Sequence, residues 1–128
     1  MANPPARVPT QQVVGYLRKN VTFADNGSAV VVGTLPAGAQ IHKAASGVFV
    51  NTAFNAGTTN VLDIGTTAND DLYGTDLALG SIAFVPLDEA VSMKVAADTT
   101  ITATVALSGT AATAGDAEVV ICFIAAEG

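Results

Sequence analysis

The chain has 128 residues, a length that predicts one domain with one hydrophobic core. Its formal net charge is −6, from eleven acidic and five basic residues, and it has no basic run beyond Arg18-Lys19. This balance argues against a nucleic-acid partner, because phosphate binding needs many basic side chains. No segment reaches the roughly 18 consecutive apolar residues of a membrane span, which argues against a membrane partner.

The N-terminal segment, residues 1 to 11, is rich in proline. It contains Pro4, Pro5, Arg7 and Pro9. Proline fixes φ and removes a backbone donor, so the segment is predicted to be an extended arm. The arm is either a free end or a segment that reaches across a neighbouring subunit, and these four residues are its candidate interface residues.

The remaining residues, 12 to 128, are predicted to form a single β-domain. Short apolar and β-branched runs alternate with turns such as Asn26-Gly27, about every ten residues, which is typical of a sandwich or barrel. The predicted strands are residues 13–24, 30–34, 39–44, 47–54, 60–65, 81–86, 91–97, 100–107 and 118–125. A short helix is predicted only at residues 69–79, where Asn69 can cap a first turn. The predicted fold class is all-β, an antiparallel, jelly-roll-like β-sandwich of about eight short strands.

Two segments near the C-terminus indicate which strand faces are buried. In residues 101–107, apolar side chains alternate with small or polar ones, which predicts a strand with one solvated face. Residues 119–124, VVICFI, are apolar on both faces, which predicts a central strand. The small residues 108–116 between them predict a hairpin that joins the two strands.

Few residues in the chain carry reactive chemistry. The single cysteine, Cys122, excludes an intrachain disulfide, and its apolar neighbours predict a buried, inert thiol. His42 is the only histidine, and its place after a turn predicts a surface or strand-face position. The sequence has no glycine-rich phosphate-binding motif and no pair of cysteines or histidines for zinc. We therefore expect neither an enzyme nor a cofactor.

The acidic segment that follows residue 62 is the one candidate ligand site. Asp63, Asp70, Asp71 and Asp76 lie within 14 residues, and Ca²⁺ prefers carboxylate oxygens. However, their spacing does not follow the DxDxDG calcium loop and no glutamate closes the site, so a solvated acidic loop is the favoured interpretation. Tyr73 in the same segment is the one candidate aromatic platform for a sugar.

Residues 34 to 71 read TLPAGAQIHKAASGVFVNTAFNAGTTNVLDIGTTANDD. A PAGA turn that leads into a strand, the segment VNTAFNAGTTNVLDIG and an acidic loop resemble a pattern of small virion structural proteins of tailed bacteriophages. The resemblance implies a β-sandwich or jelly-roll protein on the outside of the capsid, called a decoration or cement protein. Such a protein stabilises the capsid by bridging major-capsid subunits.

The resemblance also implies partners and a location. The major capsid protein is the expected partner, together with further copies of the chain in a dimer or trimer. Self-association also fits a thin core of Val, Ile, Ala and only seven aromatic residues, because burial stabilises in proportion to apolar area. The N-terminal residues have no apolar run of the signal-peptide type, so we expect synthesis and folding in a cytoplasm. The resemblance implies that this is the cytoplasm of the host bacterium and that the protein resides on the capsid surface.

Two other functions remain open at this point. The first is a structural role elsewhere in the virion, as a tail, fibre or head-fibre component. The second is a carbohydrate-binding β-sandwich module, for which Tyr73 is the candidate platform.

Overall fold

A computed structural model describes residues 14–125, and within this range the regular structure consists of nine strands and two three-residue 3₁₀ turns. The strands are β1 (Val14–Thr22), β2 (Ala29–Leu35), β3 (Gln40–Ile41), β4 (Gly47–Thr52), β5 (Thr59–Thr66), β6 (Gly74–Ala78), β7 (Phe84–Pro86), β8 (Thr99–Ser108) and β9 (Asp116–Ile124). The 3₁₀ turns are Phe23–Asp25 and Lys43–Ala45. None of the helices in this range is long and apolar enough to cross a membrane.

The strands form two antiparallel sheets. The first sheet has the order β1-β9-β4-β7, with the short β3 also paired to β9, and the second has the order β2-β8-β5-β6. When the two-residue β3 is left out and the other eight strands are renumbered, these orders become 1-8-3-6 and 2-7-4-5. This order is that of a jelly roll, in which consecutive strands mostly cross between the two sheets. The predicted all-β sandwich is therefore confirmed.

The core lies between the two sheets, where alternate side chains of each strand point inward. Its largest fully buried side chains are aliphatic. They are Leu35, Leu62, Ile64, Leu79, Ile101 and Ile121. The prediction for β9 is confirmed, since it is a central strand with partners on both sides. The predicted inward face of β8 is fully buried at Ile101, Ala103 and Val105, but its other face is not solvated throughout, because Thr102 is also buried.

The predicted hairpin between residues 100–107 and 118–125 is wrong. The strand β8 pairs with β2 and β5 in the second sheet, whereas β9 pairs with β1, β3 and β4 in the first. The segment between them therefore crosses from one sheet to the other, a gap of about 10 Å that its small residues can span. Apolar patterning identified both strands correctly but contained no information about their partners.

The predicted helix at residues 69–79 is also absent. Residues 74–78 form β6, which pairs with β5 and was not predicted as a strand. The reversal before it is held by a hydrogen bond from the Tyr73 N–H to the Ile64 carbonyl oxygen at 2.9 Å. Asp76, at φ 52°, interrupts the strand with a left-handed residue that a helix would exclude.

Three predicted strands are shorter than expected or missing. Of residues 81–86, only Phe84–Pro86 form a strand, β7. Residues 39–44 contain only the two residues of β3, after which the backbone enters the 3₁₀ turn Lys43–Ala45. Residues 91–97 contribute a single bridge, between Lys94 and Gln40. The predicted arm, residues 1–11 with Pro4, Pro5, Arg7 and Pro9, lies outside the described residues.

Candidate interaction surface

The structure brings two of the four candidate calcium ligands together. Asp63 lies on β5 and Asp76 on β6, and the Asp76 N–H donates a hydrogen bond to Asp63 Oδ1 at 2.8 Å. Asp70 and Asp71 lie in the turn before β6, where Asn69 Oδ1 accepts a hydrogen bond from the Asp71 N–H at 3.4 Å. Among residues 14–125, no group of three or more His, Cys, Asp or Glu side chains is placed to hold a metal ion. The geometry adds no support for calcium, and calorimetry with Ca²⁺ remains its test.

The carboxyl group of Asp63 has a perturbed acidity. Burial raises its pKa above the usual value, the hydrogen bond from the Asp76 N–H lowers it, and the nearby charges of Asp76, Asp70 and Asp71 raise it further. The net direction is upward, because desolvation and like charges both disfavour the ionised form. The neighbouring carboxylates of the acidic segment thus oppose the ionisation of Asp63.

The candidate sugar platform is not available. Tyr73 is only 3% exposed and packs in the hydrophobic core. Burial also raises the pKa of its hydroxyl group. An aromatic ring must be exposed to stack on a sugar, so the proposal of Tyr73 as a carbohydrate platform is wrong.

The two remaining candidate groups lie side by side but do not form a reactive pair. Cys122 is buried, as predicted, and the exposed His42 precedes the 3₁₀ turn Lys43–Ala45. They are linked through the backbone, because the His42 N–H donates to the Cys122 carbonyl oxygen at 2.8 Å. The buried thiol is shielded from reagents and substrates.

The most prominent surface feature is the outer side of the first sheet, which we call the aromatic face. Its large apolar side chains are at least partly exposed and lie on β1, β4, β7 and β9. They are Val14, Tyr16, Phe49, Phe84 and Ile124. Tyr16 is 61% exposed and Phe49 43% exposed, which is high for aromatic side chains on a sheet. Contiguous exposed apolar surface of this kind marks interaction sites.

Strand register explains how these side chains meet. Phe49 on β4 lies opposite Phe84 on β7, and their ring centroids are 4.5 Å apart with an interplanar angle of 37°. Tyr16 lies opposite Cys122, and Val14 lies opposite Ile124, along the β1–β9 pair. Alternation along β1 turns Tyr16 outward while Leu17 packs against the core.

A shallow depression of about 240 Å³ lies at the centre of the aromatic face. It is lined by Tyr16, Arg18, Phe49, Glu118 and Val120. Val120 is only 7% exposed, and its neighbour in register on β4 is Gly47, which adds no side chain above the sheet. The depression therefore exists because Gly47 leaves space beside Val120, and the rings of Tyr16 and Phe49 flank that space.

An ion pair borders this depression. Arg18 Nη2 donates to both carboxylate oxygens of Glu118, at 3.0 and 2.9 Å. The Arg18 side chain is 64% exposed and that of Glu118 is 30% exposed. An exposed pair of this kind contributes little stability, so its effect is to give the apolar depression a charged border.

The opposite outer face, on the second sheet, is different. Its exposed residues are mainly small or hydroxylated, as in the Thr34–Thr100 pair, whose Oγ1 atoms are 3.5 Å apart. Val31, at 57% exposed, is a large apolar side chain without an aromatic neighbour across the β2–β8 pair. A substitution at Val31 can therefore serve as a control for substitutions on the aromatic face.

Sequence reasoning did not identify the aromatic face. Alternation within each strand turns Tyr16 and Phe49 outward, and this signal is present in the sequence. The adjacency of β1, β9 and β4 is what places the two rings around one depression, and this adjacency depends on pairings between distant segments. The candidate arm residues Pro4, Pro5, Arg7 and Pro9 lie outside the described range.

The fold of this chain is similar to that of a solved structure. No protein-family model and no curated protein matches the sequence. The fold is similar to that of a chain in the cyanophage Pam1 capsid asymmetric unit, with a TM-score of 0.65 and 19% sequence identity. The similarity covers 88% of this chain and 84% of that chain. At this level of identity, the comparison shows a shared fold.

Proposed function

We propose that the protein is a non-enzymatic structural component of a phage virion that binds the outside of the capsid. In this role it bridges major-capsid subunits, as a decoration or cement protein does. The observation that carries the proposal is the shared jelly-roll fold with a chain of the cyanophage Pam1 capsid asymmetric unit, over 88% of this chain.

The surface of the molecule supports a binding role. The aromatic face exposes two large rings on a rigid sheet, and rigid aromatic side chains contribute much of the energy of protein interfaces. A protein that binds one state of a shell and not another stabilises the bound state by mass action. Stabilisation of a shell by bridging two of its subunits therefore depends on binding alone, through buried contact area, and needs no chemical step.

A structural role elsewhere in the virion is the alternative. A jelly-roll fold is shared by proteins of many functions, so the fold does not distinguish a capsid location from a tail or fibre location. The distinction is one of position and copy number, which can be measured directly on particles. In either location, we expect assembly in the host cytoplasm.

The first experiment examines native virions of the phage that encodes the chain. Gel densitometry gives the copy number, and cryo-electron microscopy gives the position. Hundreds of copies on the outer shell would support the proposal. A few tens of copies or fewer at the tail would favour the alternative, and absence from the virion would contradict both.

The second experiment tests stabilisation. Particles produced without the gene are compared with the same particles after addition of the purified full chain. We expect the chain to bind and to raise the temperature at which DNA is released. Binding without any change in heat resistance would exclude a cementing role.

A further inference from the structure

We propose that the aromatic face binds the proline-rich segment of a second copy of the chain, residues 3 to 9, NPPARVP. The surface is the depression between Tyr16 and Phe49, and the ligand is a peptide in the polyproline II conformation. This inference does not depend on a capsid role, because it concerns contacts between copies of this chain alone.

The shape of the depression suits this ligand. Proline-rich segments dock into grooves lined by aromatic rings, and the polyproline II helix loses little entropy on binding because it is already extended. The depression has two exposed rings, Tyr16 and Phe49, above an apolar floor formed by Val120. The segment has three prolines among seven residues, Pro4, Pro5 and Pro9.

Charge also matches the segment to this face. Arg7 is the only charged side chain among residues 1 to 13, so the rest of a chain whose net charge is −6 carries −7. Glu118 borders the depression and is contacted by a single nitrogen of Arg18. Although Arg18 contacts both oxygens of this carboxylate, a carboxylate has about four lone-pair sites, so Glu118 can also accept a hydrogen bond from Arg7 of the incoming segment.

The position of the segment in the chain favours a second copy as its donor. It precedes Val14, which lies at the border of the aromatic face, so a segment that continues the direction of β1 moves away from its own face. Seven residues in polyproline II span about 22 Å, which is sufficient to cross a neighbouring sheet of four strands.

The test uses sedimentation equilibrium of the full chain over a wide concentration range. The wild-type chain is compared with Phe49→Ser on the face, with a Pro4→Gly/Pro5→Gly variant in the segment, and with Val31→Ser on the opposite face as the matched control. We expect the wild type and Val31→Ser to self-associate alike. Phe49→Ser and Pro4→Gly/Pro5→Gly should each need at least about tenfold higher protein concentration to self-associate to the same extent. This is the effect expected from the loss of one important contact.

A second measurement uses a synthetic peptide of residues 1 to 13, which should dissociate the wild-type oligomer. In the Pro4→Gly/Pro5→Gly variant, whose own segment no longer occupies the face, the same peptide should shift the NMR signals of Tyr16. If Phe49→Ser does not fold, as judged by circular dichroism, Tyr16→Ser replaces it. A wild-type chain that is monomeric at all concentrations would overturn the proposal. Self-association that survives loss of the prolines would also overturn it, because the face would then bind something other than the segment. Neither result would affect the particle experiments above.

Discussion

Ser46 Oγ accepts a hydrogen bond from the backbone N–H of Cys122 at 2.9 Å and donates one to the carbonyl oxygen of His42 at 2.8 Å. Ser46 is fully buried between the 3₁₀ turn Lys43–Ala45 and β4. Its hydroxyl group therefore replaces a missing backbone partner for the central strand β9. One side chain connects the loop after β3 to the strand on which the first sheet depends.

Replacement of this hydroxyl group should be costly. Ser46→Ala leaves the buried N–H of Cys122 without an acceptor, and an unsatisfied buried group costs about 1–3 kcal/mol. We expect the free energy of unfolding in urea to fall by that amount. The exposed Ser81→Ala is the control and should leave it unchanged. Equal stability of the two variants would contradict the role assigned to Ser46.

Gly47 is the next residue, and it should not tolerate a side chain. Its φ is +155°, and a Cβ there would lie 2.8 Å from Pro86 Cα and would clash with the carbonyl oxygen of Val85. Gly47→Ala should therefore destabilise the protein by about 3 kcal/mol or more, because strain and overlap act together.

The matched control is Gly80→Ala, where a Cβ would meet no atom within 4 Å. Thermal unfolding of the two variants provides the comparison. A Gly47→Ala protein as stable as Gly80→Ala would mean that β4 and β7 are not as closely paired as described.

Asp63 should make stability depend on pH. Burial and the neighbouring charges raise its pKa in the folded state above the ordinary value of 3.8, so the folded protein binds this proton more tightly than the unfolded chain. The resulting stabilisation is fully present below the unfolded pKa and is lost as pH rises through the folded pKa. Asp63→Asn keeps the acceptor for the Asp76 N–H and removes the charge. It should raise stability at pH 7 by less than about 1 kcal/mol, because the group is partly solvated.

The control for this effect is Asp98→Asn, which removes an equal charge from an exposed carboxylate whose Oδ1 accepts the Ala37 N–H at 2.9 Å. Melting temperatures of both variants are measured at pH 7 and near pH 3. The gain from Asp63→Asn should be larger at pH 7 and should disappear at the acid end. A gain that is the same at both pH values would refute the assigned cause.

Removal of β9 should abolish folding. A chain that ends at Ala117 loses the partner of β1, β3 and β4, together with Val119 and Ile121, which are fully buried. We expect it to show no cooperative unfolding transition in calorimetry. A chain that ends at Ala125 keeps all of β9 and should unfold cooperatively, and cooperative unfolding of the shorter chain would contradict the central position of β9.

The sequence predicted the local features well and the pairings poorly, for a physical reason. Burial of alternate side chains is a property of each strand, so the faces of β8 and β9 could be predicted from Ile101 to Leu107 and from Val119 to Ile124. Strand pairing depends on distant partners, and the small residues between β8 and β9 fit a hairpin and a crossover equally well. The hairpin was the simpler prediction, and it was wrong.

The same distinction applies to the candidate sites. Tyr73 lies among four aspartates in the sequence, which favoured an exposed ring, but pairing of its backbone with Ile64 directs the ring into the core. Tyr16 and Phe49 are 33 positions apart in the sequence. They meet only because β9 lies between their strands, and no local pattern predicts that arrangement.

The central position of β9 has a consequence for synthesis on the ribosome. Arg18 contacts Glu118 across 100 positions of the chain, and β1 and β4 both need β9 as their neighbour. The first sheet therefore has no complete hydrogen-bond ladder until β9 has left the exit tunnel. Folds dominated by such distant pairings form slowly, because loop closure precedes any compensating contact. The nascent chain must therefore avoid aggregation while its first sheet is incomplete, so the yield of folded protein should depend on how long it stays in that state.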